Sequence, residues 1–346
     1  MIGSPMRSRR SSRAFRARSL VALALTASVA VAGCSKGSSG STSGNGTPAG
    51  QSTAAGSTMM GQWPFTGLPA HGPAPKHPPM IVKIDNSENS RPQVGLRKAD
   101  MITEELVEGG ITRLAVFFYS HLPKVVGPVR SMRASDIGIV KPAHGVLVAS
   151  GGAPPTVRRI NAAHIRAYTE GAKGYFRTAR TAPYNLFMHL PELASTLKAK
   201  GNPPDYLPWG SAAAFPKGQK AKGLSATFSA GHTTTWSYQG GKYVNTNTNA
   251  AAGDQFKPTN VVVLRVKVGD AGYLDPAGNP VPETHFTGKG QAMVFHGGRM
   301  VRATWVKKGY NATVGLRGKS GSLGLPPGHT WVELVPAATG SVSVTK

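Results

Sequence analysis

The chain has 346 residues, with 40 lysines and arginines against 15 aspartates and glutamates, and a single cysteine. One thiol excludes an internal disulfide, so the fold must rest on its apolar core, and the length suffices for two domains or one large one. A formal net charge of +25 favours polyanions as partners.

Arg7, Arg9, Arg10, Arg13, Arg16 and Arg18 open the chain with no acid among them, an apolar run follows over residues 20–32, and small residues come next. That is the order of a secretory signal. The run is about 13 residues long, whereas a helix crossing the hydrocarbon core takes roughly 20, so residues 1–33 read as a cleaved signal peptide. Val31-Ala32-Gly33-Cys34 resembles the bacterial lipoprotein lipobox. The resemblance implies cleavage before Cys34, a diacylated thiol and an acylated new amino group. The alternative is an ordinary signal peptide with a cysteine near its cleavage site. Two or three acyl chains satisfy the rule that stable anchoring takes more than one lipid signal. The expected location is extracytoplasmic, on the outer face of the bacterial cytoplasmic membrane. Ser8-Arg9-Arg10 leaves the general and the twin-arginine export routes both open.

Residues 34–62 are Ser, Gly, Thr, Ala and Asn with hardly a large apolar side chain. Such a segment cannot offset the entropy of ordering and reads as a flexible tether with a reach of roughly 30 Å. Trp63-Pro64-Phe65 then opens a proline-rich strap to residue 79, whose Trp and Phe are expected to dock on the first domain. The expected fold is α+β, with an N-terminal α/β domain over 63–205 and a mostly antiparallel β domain over 206–346. In the first, residues 80–84, 101–107, 112–119 and 145–149 are strand-like, and 155–166 and 191–200 helix-like. In the second, 224–228, 233–238, 261–268, 291–295, 300–306 and 330–335 all read as strands. Gly240-Gly241 and Gly297-Gly298 sit between such runs, where glycines supply the positive φ of tight hairpins. The two hairpins look alike, which shared turn chemistry explains as well as a duplication does.

Three polar blocks carry the candidate chemistry. A strand ends at Asp85-Asn86, with Arg91 close behind; Glu108 and Arg113 flank a Gly-Gly turn; and Arg130 and Arg133 stand three apart beside hydroxyls. Arginine forks pair bidentately with phosphate or carboxylate, so Arg113, Arg130 and Arg133 are candidates to hold an anion, with Asp85 or Glu108 as orienting group or base. Ser150-Gly151-Gly152 leads into a helix starting near residue 155, whose free amides would add to such a site. The competing reading is that these acids and arginines are ion pairs that hold turns together. Among the ten histidines no His-Glu-x-x-His or cysteine-paired spacing occurs, so neither a metal nor a cofactor is expected. Ser150 lacks the Gly-x-Ser-x-Gly elbow of a hydrolase, and Trp236, Trp305 and Trp331 read as β-core.

These blocks resemble the YerB-like lipoprotein family, whose two parts carry domain-of-unknown-function labels. The resemblance is borne by Ile84-Asp85-Asn86, Arg91-Pro92-Gln93, Gly95-Leu96, Ala99-Asp100, the run Leu106-Val107-Glu108-Gly109-Gly110-Ile111-Thr112-Arg113, and Gly127-Pro128-Val129-Arg130-Ser131. It continues in Ala182-Pro183-Tyr184-Asn185-Leu186 and Thr330-Trp331-Val332-Glu333-Leu334-Val335-Pro336, and covers residues 79–336. Tyr184 stands where the pattern has His, and Met132-Arg133-Ala134-Ser135 where it more often reads Ala-Arg-Pro-Tyr. The resemblance implies an envelope lipoprotein with an α/β first part and a β second part, and it supplies no reaction.

Loss of the six signal arginines leaves a net charge of about +19, and the stretches between Asp205 and Asp254 and between Glu283 and Glu333 contain no acid. For a membrane-tethered protein the fitting partners are anionic wall polymers, phospholipid headgroups or acidic glycans, or an envelope protein, with no nucleic acid expected. The alternative is a generally basic, solubilising surface. The leading expectation is a non-catalytic envelope lipoprotein that binds an anionic polymer or partner. Its competitor is a transferase or hydrolase acting on a phosphorylated envelope glycan, with Asp85, Glu108, Arg113, Arg130 and Arg133 in one cleft.

Overall fold

The structure, a computed structural model, describes residues 61–346. The arginine-rich start, the apolar run, Cys34 and all but the last two tether residues lie outside the described residues. β-Branched and aromatic runs form strands where the pattern places them: β1 (Met80–Asp85), β2 (Met101–Leu106), β3 (Thr112–Phe118) and β4 (Val146–Val148). Shorter strands follow as β5 (Ala167–Tyr168), β6 (Tyr175–Arg177) and β7 (Leu186–Met188). The later half begins with β8 (Gln219–Lys220), β9 (Gly223–Ser229), β10 (His232–Gln239), β11 (Lys242–Asn245) and β12 (Asn260–Leu274). It goes on through β13 (Pro280–His285), β14 (Gly288–His296), β15 (Arg299–Lys307) and β16 (Gly315–Gly318). β17 (Gly321–Ser322), β18 (Thr330–Pro336) and β19 (Ser341–Thr345) complete the set.

A 13-stranded sheet dominates, in the order β17-β16-β15-β14-β12-β18-β2-β3-β1-β4-β5, with β13 beside β12 and β8 beside β15. Strands from both halves of the sequence join in it, because β18 pairs in parallel with β12 on one side and with β2 on the other. β1 and β4, and β4 and β5, are also parallel, while the remaining neighbours run antiparallel. A second sheet, β11-β10-β9-β19, is antiparallel throughout.

The architecture is therefore mostly β around a mixed sheet, which fits the expected α+β fold with an N-terminal α/β domain only loosely. Only three short α-helices are described: α1 (Asp136–Val140), α2 (Pro154–Ala162) and α3 (Leu190–Ala194). The segment β4-α2-β5 is a true parallel crossover, but β2 and β3 are joined by a tight turn over residues 108–110. The expected helix over 191–200 stops at Ala194, where the Ser195 and Thr196 hydroxyls bond back to the carbonyls of Glu192 and Leu193. In the second half the strand pairs are mostly antiparallel, as expected, with β12–β18 the parallel pair.

Both faces of the large sheet are covered, so its central strands are apolar on alternating sides. Val82, Ile84, Leu114, Val116, Val261 and Trp331 face the second sheet, which contributes Leu224, Phe228, Trp236 and Tyr243 to the same core. Ile81, Phe117, Leu147, Val262 and Leu334 face the other way, against Ile139 and Val140 of α1, Ile160 of α2, and Tyr206. The proline-rich strap docks on this second face: Phe65 is 1% exposed, with its ring 5.4 Å from Phe117 and 5.9 Å from Tyr119, and Trp63 meets Tyr119 edge-on. Gly240-Gly241 and Gly297-Gly298 turn the β10–β11 and β14–β15 hairpins at φ between 56° and 83°, the left-handed values that a two-residue turn of this kind requires.

Candidate functional site

The period-2 alternation of strands puts Lys83 and Asp85 of β1 on one face, and register places Arg113 of β3 directly between Asp85 and Glu105 of β2. Four acids and four cations thus gather where β1 and β2 end. Lys83 Nζ donates to Glu105 Oε1 at 2.5 Å and lies 2.7 Å from Asp136 Oδ1 on α1, with all three side chains fully buried. Arg130 Nε donates to Asp85 Oδ2 at 2.7 Å. Arg113 Nη2 donates to Glu108 Oε1 at 2.7 Å, and Arg113 Nη1 to the Ser131 carbonyl at 3.0 Å. Arg133 grips both oxygens of Glu108 with Nε and Nη2, while its backbone N–H donates to Asp136 Oδ2. With every member ionised, the cluster of Lys83, Arg113, Arg130, Arg133, Asp85, Glu105, Glu108 and Asp136 is neutral.

The surroundings set the ionisation of each group. Burial would raise the Glu108 carboxyl, but its bonds to Arg133 and the charges of Arg113 and Arg133 hold it at about 2. Burial, together with the charge of Arg133, brings the Arg113 guanidinium down to about 10. Glu105 is pushed up to about 6 by burial, against the pull of Lys83. Burial works against the Lys83 ammonium, yet Asp136 and Glu105 together raise it above its ordinary value.

The structure brings together Asp85, Glu108, Arg113, Arg130 and Arg133, as the motif reading anticipates for a site. Each is already matched within the cluster, Asp85 also accepting from the Ser87 amide and hydroxyl. Ser150 and Gly151 join through the backbone, the Ser150 amide donating to the Arg130 carbonyl and the Gly151 carbonyl accepting from Met132. Gly152 packs so closely that a Cβ there would lie 2.8 Å from Met132 Cγ. The helix beyond starts with Pro154-Pro155, so two of the amides that an anion at its N-terminus would use are absent. Arg91 stays apart and exposed, donating from Nε to Asn249 Oδ1 at 2.5 Å. Asn86 points to the opposite face of the sheet, donating to Glu104 Oε1 and the Thr112 hydroxyl.

That opposite face holds a cluster the sequence reading missed. Glu104 and Glu333 are direct partners in the β2–β18 register, both fully buried. His232 Nε2 lies 2.9 Å from Glu104 Oε1, and the hydroxyls of Thr112 and Thr234 donate to the same carboxylate. Two indoles close the cluster, Trp236 Nε1 donating to Glu333 at 2.7 Å and Trp331 Nε1 to Glu104 at 3.2 Å. Burial raises Glu104, but His232 together with hydrogen bonds from Glu333 and Thr112 keeps this member below its ordinary value. Burial and the charge of Glu104 drive Glu333 far upward, which favours its protonated form. The legible signal was an acid at the centre of the apolar run 330–336, in register with Glu104. Among the described residues, no group of three or more His, Cys, Asp or Glu side chains is placed to hold a metal ion.

The fold is a long mixed sheet covered by an antiparallel one, with a charge-matched cluster inside. Residues 65–203 match the family described as "Protein of unknown function (DUF3048) N-terminal domain", and residues 224–332 match its C-terminal domain. The chain belongs to this two-part, YerB-like family. Over 97 residues it is 36% identical to the "Putative lipoprotein YerB" of Bacillus subtilis (strain 168), a stretch covering 28% of this chain and 29% of that relative. The crystal structure of the YerB protein from Bacillus subtilis shares the fold, with a TM-score of 0.67 at 22% identity over 82% of this chain and 99% of that one.

Two outcomes test the clusters. A carboxyl held below its ordinary value binds fewer protons folded than unfolded, so Glu108 stabilises the fold above pH 4.5, and that contribution is lost as pH falls toward 2. Glu108→Gln should therefore lower unfolding free energy at pH 7 by about 3 kcal/mol and flatten its decline between these pH values in denaturant titrations. Glu333→Gln keeps a donor toward Glu104 and an acceptor for Trp236, and should cost under about 1 kcal/mol, whereas Glu104→Gln, which removes a buried charge with several donors, should cost about 3 kcal/mol.

Proposed function

We infer that the protein is a lipid-anchored, extracytoplasmic envelope lipoprotein that binds an anionic envelope polymer through its basic exterior. One observation carries the reading: the fold sorts its charges by sign. Seven of the fifteen carboxylates are buried, namely Asp85, Asp100, Glu104, Glu105, Asp136, Glu283 and Glu333. Among the described lysines and arginines only Lys83, Arg113, Arg133 and Lys307 are buried. The exterior is consequently more positive than the composition implies, and such a field concentrates polyanions at its surface. The lipobox-like Cys34 and the name of the Bacillus subtilis relative both support anchoring at the membrane. Among the described residues no helix is long and apolar enough to cross a membrane. Asp85 and Glu108 are engaged by arginines, which leaves neither carboxylate free as an acid or base at that cluster.

The binding reading is tested by co-sedimentation of the full chain with purified bacterial cell walls. The bound fraction should correspond to an affinity that falls by about tenfold or more between 50 and 500 mM salt (on the order of several displaced counterions). Binding insensitive to salt would contradict an electrostatic partner. Cys34→Ser should move the expressed protein from the membrane to the soluble fraction on ultracentrifugation, and retention of the variant in the membrane would remove the lipid anchor.

A further inference from the structure

A group of cations with no carboxylate beside them lies at the opposite end of β1 from the buried clusters. β1, β4 and β5 are parallel neighbours, so the residues before them, Pro79, Gly145 and Arg166, lie side by side. Around these starts three cavities of about 430, 510 and 190 Å³ adjoin. Lys141 and Asn311 line both the first and the second, and His144, Arg166 and Lys200 both the first and the third. Together they make one trough lined by Lys141, His144, His164, Arg166, Lys200 and Lys308, with no carboxylate anywhere on its wall.

The polar lining sits on built structure. Lys141 Nζ donates to the Ala163 carbonyl at 2.7 Å, which ties the turn after α1 to the end of α2. The two histidines stand at the ends of those helical segments with φ of 51° and 55°, and among the described residues they alone hold positive φ without being glycine. A side chain in that conformation is kept at a local cost, which glycine would avoid, and such positions concentrate at ligand sites. Val140 and Ile165 supply an apolar floor between the cations.

We propose that this trough is the seat of the anionic polymer, and that the polymer is a linear chain carrying phosphodiester groups. The inference rests on the reading of the protein as a polyanion binder and specifies its site. Three confluent cavities suit a chain rather than one small ion. Lysine ammonium groups meet phosphate oxygens as point charges, and Arg166 adds a planar fork that can pair two-on-two with a phosphate. The repeated cations along the trough then engage successive phosphates, and the exposed basic surface elsewhere steers the chain toward it.

The test titrates the full chain, held in neutral detergent, with linear inorganic polyphosphate. The triple variant His164→Asn/Arg166→Gln/Lys200→Gln is compared with Lys242→Gln/Lys289→Gln/Arg302→Gln, which removes three exposed cations outside the trough. The trough variant should bind about tenfold more weakly or worse, and the control should lose under about threefold. Equal losses in the two variants would overturn the trough while leaving the general polyanion reading in place. No binding by the unaltered chain would overturn both. Polyglutamate bound as tightly as polyphosphate would refute the phosphate preference, and tighter binding to phosphatidylglycerol vesicles, lost in the trough variant, would replace the polymer with a lipid surface.

Discussion

The central sheet is governed by one electrostatic requirement: charges on a face closed to water must meet opposite charges there. Desolvating an ammonium or a guanidinium costs several kcal/mol, so Lys83 and Arg113 can stand mid-sheet only because Glu105, Asp136 and Glu108 are held against them. The requirement reaches beyond the strands. Glu108 comes from the β2–β3 turn, Arg130 and Arg133 from the segment after a long connection, and Asp136 from α1, so the cluster fixes where each of these lies. It also fixes register. A one-residue slip of β1 would carry Lys83 and Asp85 to the side occupied by Phe228 and Trp236, away from Glu105, Asp136 and Arg130.

The opposite face solves a similar problem differently. Glu104 and Glu333 face each other in register, which with burial raises Glu333 far above its ordinary value, and His232 and two indoles complete the arrangement. Both solutions place acids inside. The outside is then richer in lysine, arginine and histidine than in acids, and the trough at the starts of β1, β4 and β5 gathers several of these cations in one concave stretch.

Strands were legible because their β-branched runs are long and bounded by glycine or polar turns, as at Val261 to Leu264 and Trp331 to Val335. Helices were overdrawn because apolar spacing over 191–200 does not reveal that Ser195 and Thr196 turn their hydroxyls back onto the chain. The five motif residues Asp85, Glu108, Arg113, Arg130 and Arg133 were legible as a group because polar side chains crowd three short blocks. Lys83 and Glu105 were not, since their pairing exists only across strands, although Lys83 shares a face with Asp85 by simple alternation. Glu104 and Glu333 are 229 positions apart in numbering and meet only because β18 inserts between β12 and β2. The trough was invisible for the same reason: its residues come from separate turns that only the parallel β1–β4–β5 arrangement aligns.

The strap at the start of the described chain has a mechanical consequence. Phe65 is wedged among Phe117, Tyr119 and Tyr206, the Trp63 amide bonds to the Leu68 carbonyl, and the Trp209 indole N–H bonds to the Pro64 carbonyl. A pull on the segment upstream of Gly61 therefore loads an aromatic plug seated in the core before it can reach β1. Drawing out that plug means exposing Phe65 and its neighbours to water together, so the fold meets tension at its entry point with a packed joint and shields the hydrogen-bonded sheet behind it.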